Sequence, residues 1–385
     1  MSSTSSVSSI DRTPPSDIEL IFLGTGSSSS VPHLDCLTAP SDRKPCKTCL
    51  STLTQEGKKN IRRNTSVVVR FTGKDQKKVT VVIDVGKTFQ AAAMEWFPKY
   101  GLREIDAVLI THAHADAMNG LDDLRGWTLG AAIQQHIDVY VSGNTFREVE
   151  RAFPYLVSKE FASGGGDVPE FKWHIIEDKV RFEIKDTGVW ITPFLVQHGR
   201  LFTSPATFAA PSPCTTQPTT PIVSGRSSPR VGETSLPKVQ PFWCFGFVIQ
   251  NAIVYMSDVS RIPQDAWELI ESGQRKSVLV IDCLRLRPHT SHMGIRDAAA
   301  AIKRLAAERS YLIGFSHDLH HEEWVTVTEA AGNDAIGLSG KSRPVREGVA
   351  MILEEKVSGC WVRPTHDGLR VLVSSDGSIR DETYD

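Results

Sequence analysis

The run Ile105-Asp106-Ala107-Val108-Leu109-Ile110 is apolar and rich in β-branched residues, and it stops at Thr111-His112-Ala113-His114-Ala115-Asp116. Such a run predicts a buried strand. Two imidazoles and a carboxylate packed into five positions at its end offer neutral nitrogen and hard oxygen to a borderline cation such as zinc, on backbone that the strand holds still. A lone histidine in such a place is a packed or solvated residue. Three potential ligands together point to metal, and they require a sheet rigid enough to present them.

The same pattern, a predicted strand delivering a ligand-type residue, recurs along the chain. Asp17 to Leu23 should be the first strand, ending in the tight turn Gly24-Thr25-Gly26; this turn lacks the lysine and the glycine spacing of a phosphate-binding loop. Thr65 to Phe71 and Val79 to Val85 read as a hairpin around Gly73-Lys74-Asp75, with Asp84 at its end. A carboxylate there must find donors or a metal-bound histidine, because burying it unpaired is costly. Val189 to Val196 delivers Gln197-His198, and Ala252 to Met256 delivers Ser257-Asp258. Ser277 to Ile281 ends at Asp282, before a loop that holds His289 and His292. Tyr311 to Phe315 ends at Ser316-His317-Asp318-Leu319-His320. Helical spacing of apolar residues is clear from Lys87 to Tyr100 and after Gly294. Reactive groups of α/β proteins gather at strand ends, where loops converge on one rim.

A second ligand group lies earlier. Cys46-Lys47-Thr48-Cys49 has the two-residue spacing that lets two thiolates face one tetrahedral ion, and Cys36 is a third candidate. The fourth ligand is missing locally, and one such pair is also compatible with redox use. The seven cysteines are an odd number without a disulfide-like rhythm, which suits a reducing compartment. The cytoplasm is therefore expected, with the nucleus allowed.

The net charge of −2 gives no electrostatic case for a polyanion partner, so nucleic acid is not expected. No apolar run is long enough to span a bilayer. Residues 1–16 read as a disordered lead rather than a secretory signal, residues 17–375 as one domain, and 376–385 as a tail. Eight of the 21 prolines fall within 199–241 among many Ser and Thr, which predicts a disordered insertion there.

In order and spacing, the series Asp84, His112-x-His114-x-Asp116, His198, Asp258, His317 resembles the metallo-β-lactamase superfamily across nearly the whole chain. Phe22-Leu23-Gly24-Thr25-Gly26-Ser27, Val31-Pro32, the early cysteines and Gly314-Phe315-Ser316-His317-Asp318-Leu319-His320 resemble the branch containing the cyclic phosphodiesterase of bacterial phosphonate catabolism. The resemblance implies an α/β protein of αβ/βα sandwich type, two mixed β-sheets face to face with helices outside. It implies a first ion on His112, His114 and His198, and a second on Asp116, Asp258 and His317 with Asp258 bridging. Asp84 would orient a ligand from behind. It also implies a structural zinc on Cys36, Cys46, Cys49 and His320, and puts Gly348-Val349 in a closing strand. Asp116 and His292 are the catalytic candidates, His292 protonating the leaving alkoxide or holding a phosphate oxygen. One departure stands out: the family pattern continues Asp-His, whereas this chain has Asp116-Ala117. The expectation is tight Zn2+ at the first and structural sites and a labile second ion, Zn2+ or Mn2+.

The expected activity is metal-dependent hydrolysis of a small phosphodiester, cyclic ones included, by an activated water. Thioester or lactone hydrolysis is the enzymatic alternative, because the same ligands support acyl chemistry. A catalytically impaired metal-binding scaffold is the third reading, motivated by Ala117 and the insertion. A homodimer is allowed.

Overall fold

Strand residues alternate between two packed faces. In β2 (Ser66–Thr72), Val67, Val69 and Phe71 turn one way and Val68 the other, and all four are buried. Strands of this kind need a partner sheet on one side and helices on the other. The structure is a computed structural model that describes residues 17–164, 166–203, 238–333 and 336–384. It supplies both layers.

The first sheet holds β1 (Ile18–Gly24), β2, β3 (Lys78–Ile83), β4 (Ala107–Leu109), β5 (Ile137–Val141), β6 (Phe171–Ile175), β14 (Arg370–Val373) and β15 (Ile379–Asp381), in the order β15-β14-β1-β2-β3-β4-β5-β6. The second holds β7 (Phe182–Glu183), β8 (Trp190–Thr203), β9 (Lys238–Ile249), β10 (Ile253–Met256), β11 (Val278–Asp282), β12 (Arg309–Ile313) and β13 (Val362–Pro364), ordered from β13 down to β7. Between the sheets, Leu20, Phe22, Val81 and Ile83 meet Phe245, Phe247, Val278 and Val280. The outer face of the first sheet packs on α1 (Phe89–Lys99) and α2 (Gly143–Ala152). The outer face of the second packs on α3 (Gln264–Glu271), α4 (Ile295–Leu305), α5 (His321–Glu329) and α6 (Arg343–Glu355). Each fully buried aliphatic or aromatic side chain stabilises this sandwich by about 1.5–3 kcal/mol.

β3, β4 and β5 run parallel, as do β10, β11 and β12. Their carboxyl ends therefore open on a common rim. The sheets are tied together there: the Phe245 amide donates to the Thr111 carbonyl at 2.9 Å, and the Gly314 and Phe315 amides donate to the Thr25 carbonyl at 3.0 and 3.1 Å.

Several expectations need correction. Gly348-Val349 lies in α6, where Val345, Val349 and Ile352 recur at helical spacing and are buried. The expected tail 376–385 contributes β15, paired antiparallel with β14, so the domain runs past 375. The margins of the expected insertion 199–241 belong to β8 and β9, with Arg200 opposite Pro241 and Leu201 opposite Gln240. Residues 204–237 of that insertion, and the lead 1–16, lie outside the described residues. Among the described residues no helix is long and apolar enough to cross a membrane.

Candidate metal centres

The rim collects its side chains from both sheets. β4 continues through Thr111 and His112 to His114, the N-cap of the short helix Ala115–Met118 that carries Asp116. The loop is braced against the end of β3 at Gly86, where a Cβ would come within 1.9 Å of the Asp116 carbonyl oxygen. Only glycine allows that approach. His198 sits where the β8–β9 register shifts, between Gln197 and Arg200, and Gly199 has a φ of 78°. A bulge of this sort re-aims a side chain out of the strand's alternation. Asp258 follows β10, and Asp282 closes β11.

His112, His114 and His198 each place a ring nitrogen within 4.8 Å of the others. His198 Nε2 lies 3.1 Å from His114 Nδ1. Hydrogen bonds behind the rings fix two of them. The His198 Nδ1–H donates to the Ser291 carbonyl at 2.7 Å. His112 Nδ1 lies 2.8 Å from Thr111 Oγ1, whose hydroxyl donates to Asp84 at 2.8 Å while the Thr111 amide donates to the same carboxylate. This chain assigns the Nδ1 proton to His112 and leaves Nε2 with a lone pair. His112 Nε2 is buried and has no hydrogen-bond partner among the described residues; Asp258 Oδ2 stands 3.8 Å from it. An orphaned nitrogen aimed at two further imidazoles and a carboxylate fits a divalent cation.

The electrostatics agree. Burial holds His112 well below the ordinary histidine range, and burial with His198 pushes His114 down to about 4, so both rings are neutral ligands at pH 7. Burial acts to raise Asp258, but His198 and His292 beside it act against burial, and the carboxylate stays low. His292 differs. Burial opposes its charge, yet Asp282, whose Oδ2 is 2.8 Å from His292 Nδ1, and Asp258 raise it to about 9.

A second centre forms where three sulfurs converge. His317 Nδ1 lies 3.4 Å from Cys36 Sγ, 3.6 Å from Cys46 Sγ and 3.4 Å from Cys49 Sγ. A tetrahedral zinc with bonds of about 2.0–2.3 Å spaces its ligands by roughly 3.3–3.8 Å. Burial pushes the Cys49 thiol up to about 12 and also raises Cys36, a cost that a cation would offset by holding thiolates. The expected fourth group, His320, is not among these neighbours. It caps α5, its amide donating to Glu323 Oε2 at 3.0 Å. His317, expected on the rim, takes the place beside the sulfurs, with His33 stacked on its ring at 3.9 Å. Buried Arg62 sets this register by donating to the Ser316 carbonyl and, at 2.8 Å, to that of Leu319.

The family model for the beta-lactamase superfamily domain matches residues 80–214 and 219–315. The chain belongs to the beta-lactamase superfamily. Among solved structures, this superfamily member is similar to a diphosphatase from the PhnP family, with a TM-score of 0.59 and 20% identity over 92% of this chain and 97% of that one. It is also similar to the metallo-beta-lactamase fold protein YhfI from Bacillus subtilis, with a TM-score of 0.52 and 12% identity over 93% and 100%. An octanoyltransferase of Porphyromonas gingivalis is 26% identical over 308 residues, 78% of this chain. The superfamily member spans about half of that relative, 47% of its length.

Asp116 joins none of the groups in which three ligand atoms come within 4.8 Å of one another among the described residues. Burial and Asp258 raise its carboxyl to about 6. Asp84 reaches His112 only through Thr111. Three contributors escaped sequence reasoning: Thr111, Asp282, and Phe242, whose ring stacks on His114 at 4.5 Å. Asp282 carried the same signal as Asp84, a carboxylate at the end of an apolar strand.

Proposed function

We propose that the protein is a metal-dependent hydrolase acting on a small phosphodiester, with its ion held by His112, His114 and His198 beside Asp258. The observation that carries this reading is the orphaned, buried His112 Nε2 facing the other two imidazoles. When bound, a divalent ion supplies an activated water and positive charge against the phosphoryl oxygens. Asp84 and Thr111 hold the His112 ring in place, and Ser291 does the same for His198. Asp258 keeps a carboxylate 3.8 Å from His112 Nε2. The His292 ring, oriented by Asp282 at Nδ1, retains a proton at Nε2 for the departing alkoxide. Cys36, Cys46, Cys49 and His317 would hold a structural zinc, which would fix the loop after β12. The similar solved structure described as a diphosphatase supports a phosphoryl substrate over an acyl one.

The test is a panel of cyclic and linear phosphodiesters, thioesters and lactones presented to zinc- and manganese-loaded protein. Turnover of a phosphodiester that is lost in His114→Ala supports the assignment. Turnover confined to thioesters would move the protein to acyl hydrolysis, and inactivity of a folded, metal-loaded protein on every substrate would make it a scaffold.

A further inference from the structure

Resemblance led to the expectation of two catalytic ions bridged by Asp258, and the residues for the second do not fit. Position 117, where the pattern has a ligating imidazole, is a buried alanine whose carbonyl accepts from the Val85 amide at 2.8 Å. His317 is engaged with the three sulfurs. Asp116 joins no group of three ligand atoms within 4.8 Å of one another among the described residues. His198, Asp258 and His292 do bring ligand atoms within 4.8 Å of one another, but the side of Asp258 turned away from His112 is taken by His292. Asp258 Oδ1 faces His292 Nδ1 at 3.5 Å, and that nitrogen lies 2.8 Å from Asp282 Oδ2. A nitrogen flanked by two carboxylate oxygens at these distances is a hydrogen-bond donor, and a nitrogen carrying a proton offers no lone pair to a metal. Asp282 is held in turn by the Val259 amide, which donates to the same oxygen at 3.1 Å.

We propose that the catalytic centre holds one ion, not two, and that the His292–Asp282 pair occupies the place where the second ion of a bridged pair would sit. This rests on the metal assignment above. It changes the chemistry in a specific way: the far oxygen of Asp258 faces the His292 ring nitrogen at 3.5 Å instead of a second cation. The leaving-group side of the centre then depends on a hydrogen-bonded proton rather than on a Lewis acid. Total metal content becomes two ions per chain, one at the sulfurs and one at the histidines.

Elemental analysis of the full chain after equilibration with zinc and removal of free ion reads the stoichiometry. The expected values are two zinc per chain in the wild type and one in His114→Ala. Manganese, poorly suited to sulfur ligands, gives an independent reading by electron paramagnetic resonance even if a variant folds badly. One equivalent showing the six-line spectrum of an isolated ion is expected. An exchange-coupled manganese pair, or three zinc per chain, would overturn the single-ion centre while leaving metal-dependent hydrolysis standing. A wild type with one zinc, unchanged in His114→Ala, would remove both.

Discussion

At the scale of single residues, the centre depends on bonds that act through a neighbour. Thr111 is the link between a buried carboxylate and a candidate metal ligand: its amide and hydroxyl bind Asp84, and its oxygen fixes His112. Thr111→Val keeps the shape and removes the hydroxyl. It should weaken zinc at the histidine site about 10- to 100-fold, read by competition with a chromophoric chelator, with the far-UV spectrum unchanged. Asp282 acts on His292 in the same indirect way. Asp282→Asn should lower kcat roughly 10²-fold and leave KM nearly unchanged in steady-state kinetics on the best phosphodiester. His112, His114 and His198 were legible in the sequence because their spacing to strand ends is local. The choice between His317 and His320 was not. They are three positions apart on one loop, and Arg62, some 250 positions earlier in the chain, decides which faces the sulfurs.

At the scale of elements, loops from different strands are bonded in series. The Ser316 amide donates to the Leu284 carbonyl at 2.8 Å, and the Leu284 amide donates to the Met293 carbonyl at 3.1 Å. The cluster that anchors His317 is thereby joined to the loop bearing His292. Cys49→Ser should lose the zinc at the sulfurs and speed hydrogen exchange at the Ser316 and Leu284 amides, while amides of β2 and β3 keep their protection. The closing segment carries a separate, pH-sensitive contact. His366 Nε2 lies 2.9 Å from Thr383 Oγ1, and burial pushes the His366 ring down to about 4. Its folded-state value lies below that of the unfolded chain, so the neutral ring contributes stability above about pH 6.5 that is lost as pH falls toward 4. Asp367, raised by burial to about 7, slopes the opposite way in the same window. The His366 part is therefore read by difference: His366→Asn should lose less denaturant stability than the wild type between pH 7 and pH 4.5. Alternating apolar strands such as β2 and β3 were legible from pattern alone. β6, α6 and β15 were not, because their burial depends on partners distant in the chain, as in the pairing of Val141 with Ile175 and the Tyr311 hydroxyl donating to Asp381 at 2.9 Å.

At the scale of the molecule, two sheets with parallel strands ending on one rim explain why candidate ligands as far apart in sequence as His112 and Asp258 meet. The superfamily fold was readable from that series of strand ends. The allotment of His317 to the cysteine cluster instead of the rim was not, since it follows from how the loop after β12 is pinned to the cysteine-bearing arm. Activity should accordingly fall in two distinguishable ways: abruptly on loss of the histidine-bound ion, and through loosened loops on loss of the sulfur-bound ion. The most direct measurement compares hydrolysis of bis(p-nitrophenyl) phosphate by the zinc-loaded wild type and by His114→Ala at matched folding. Turnover is expected in the wild type and none above background in the variant; equal rates in the two proteins would contradict a catalytic ion on the histidines.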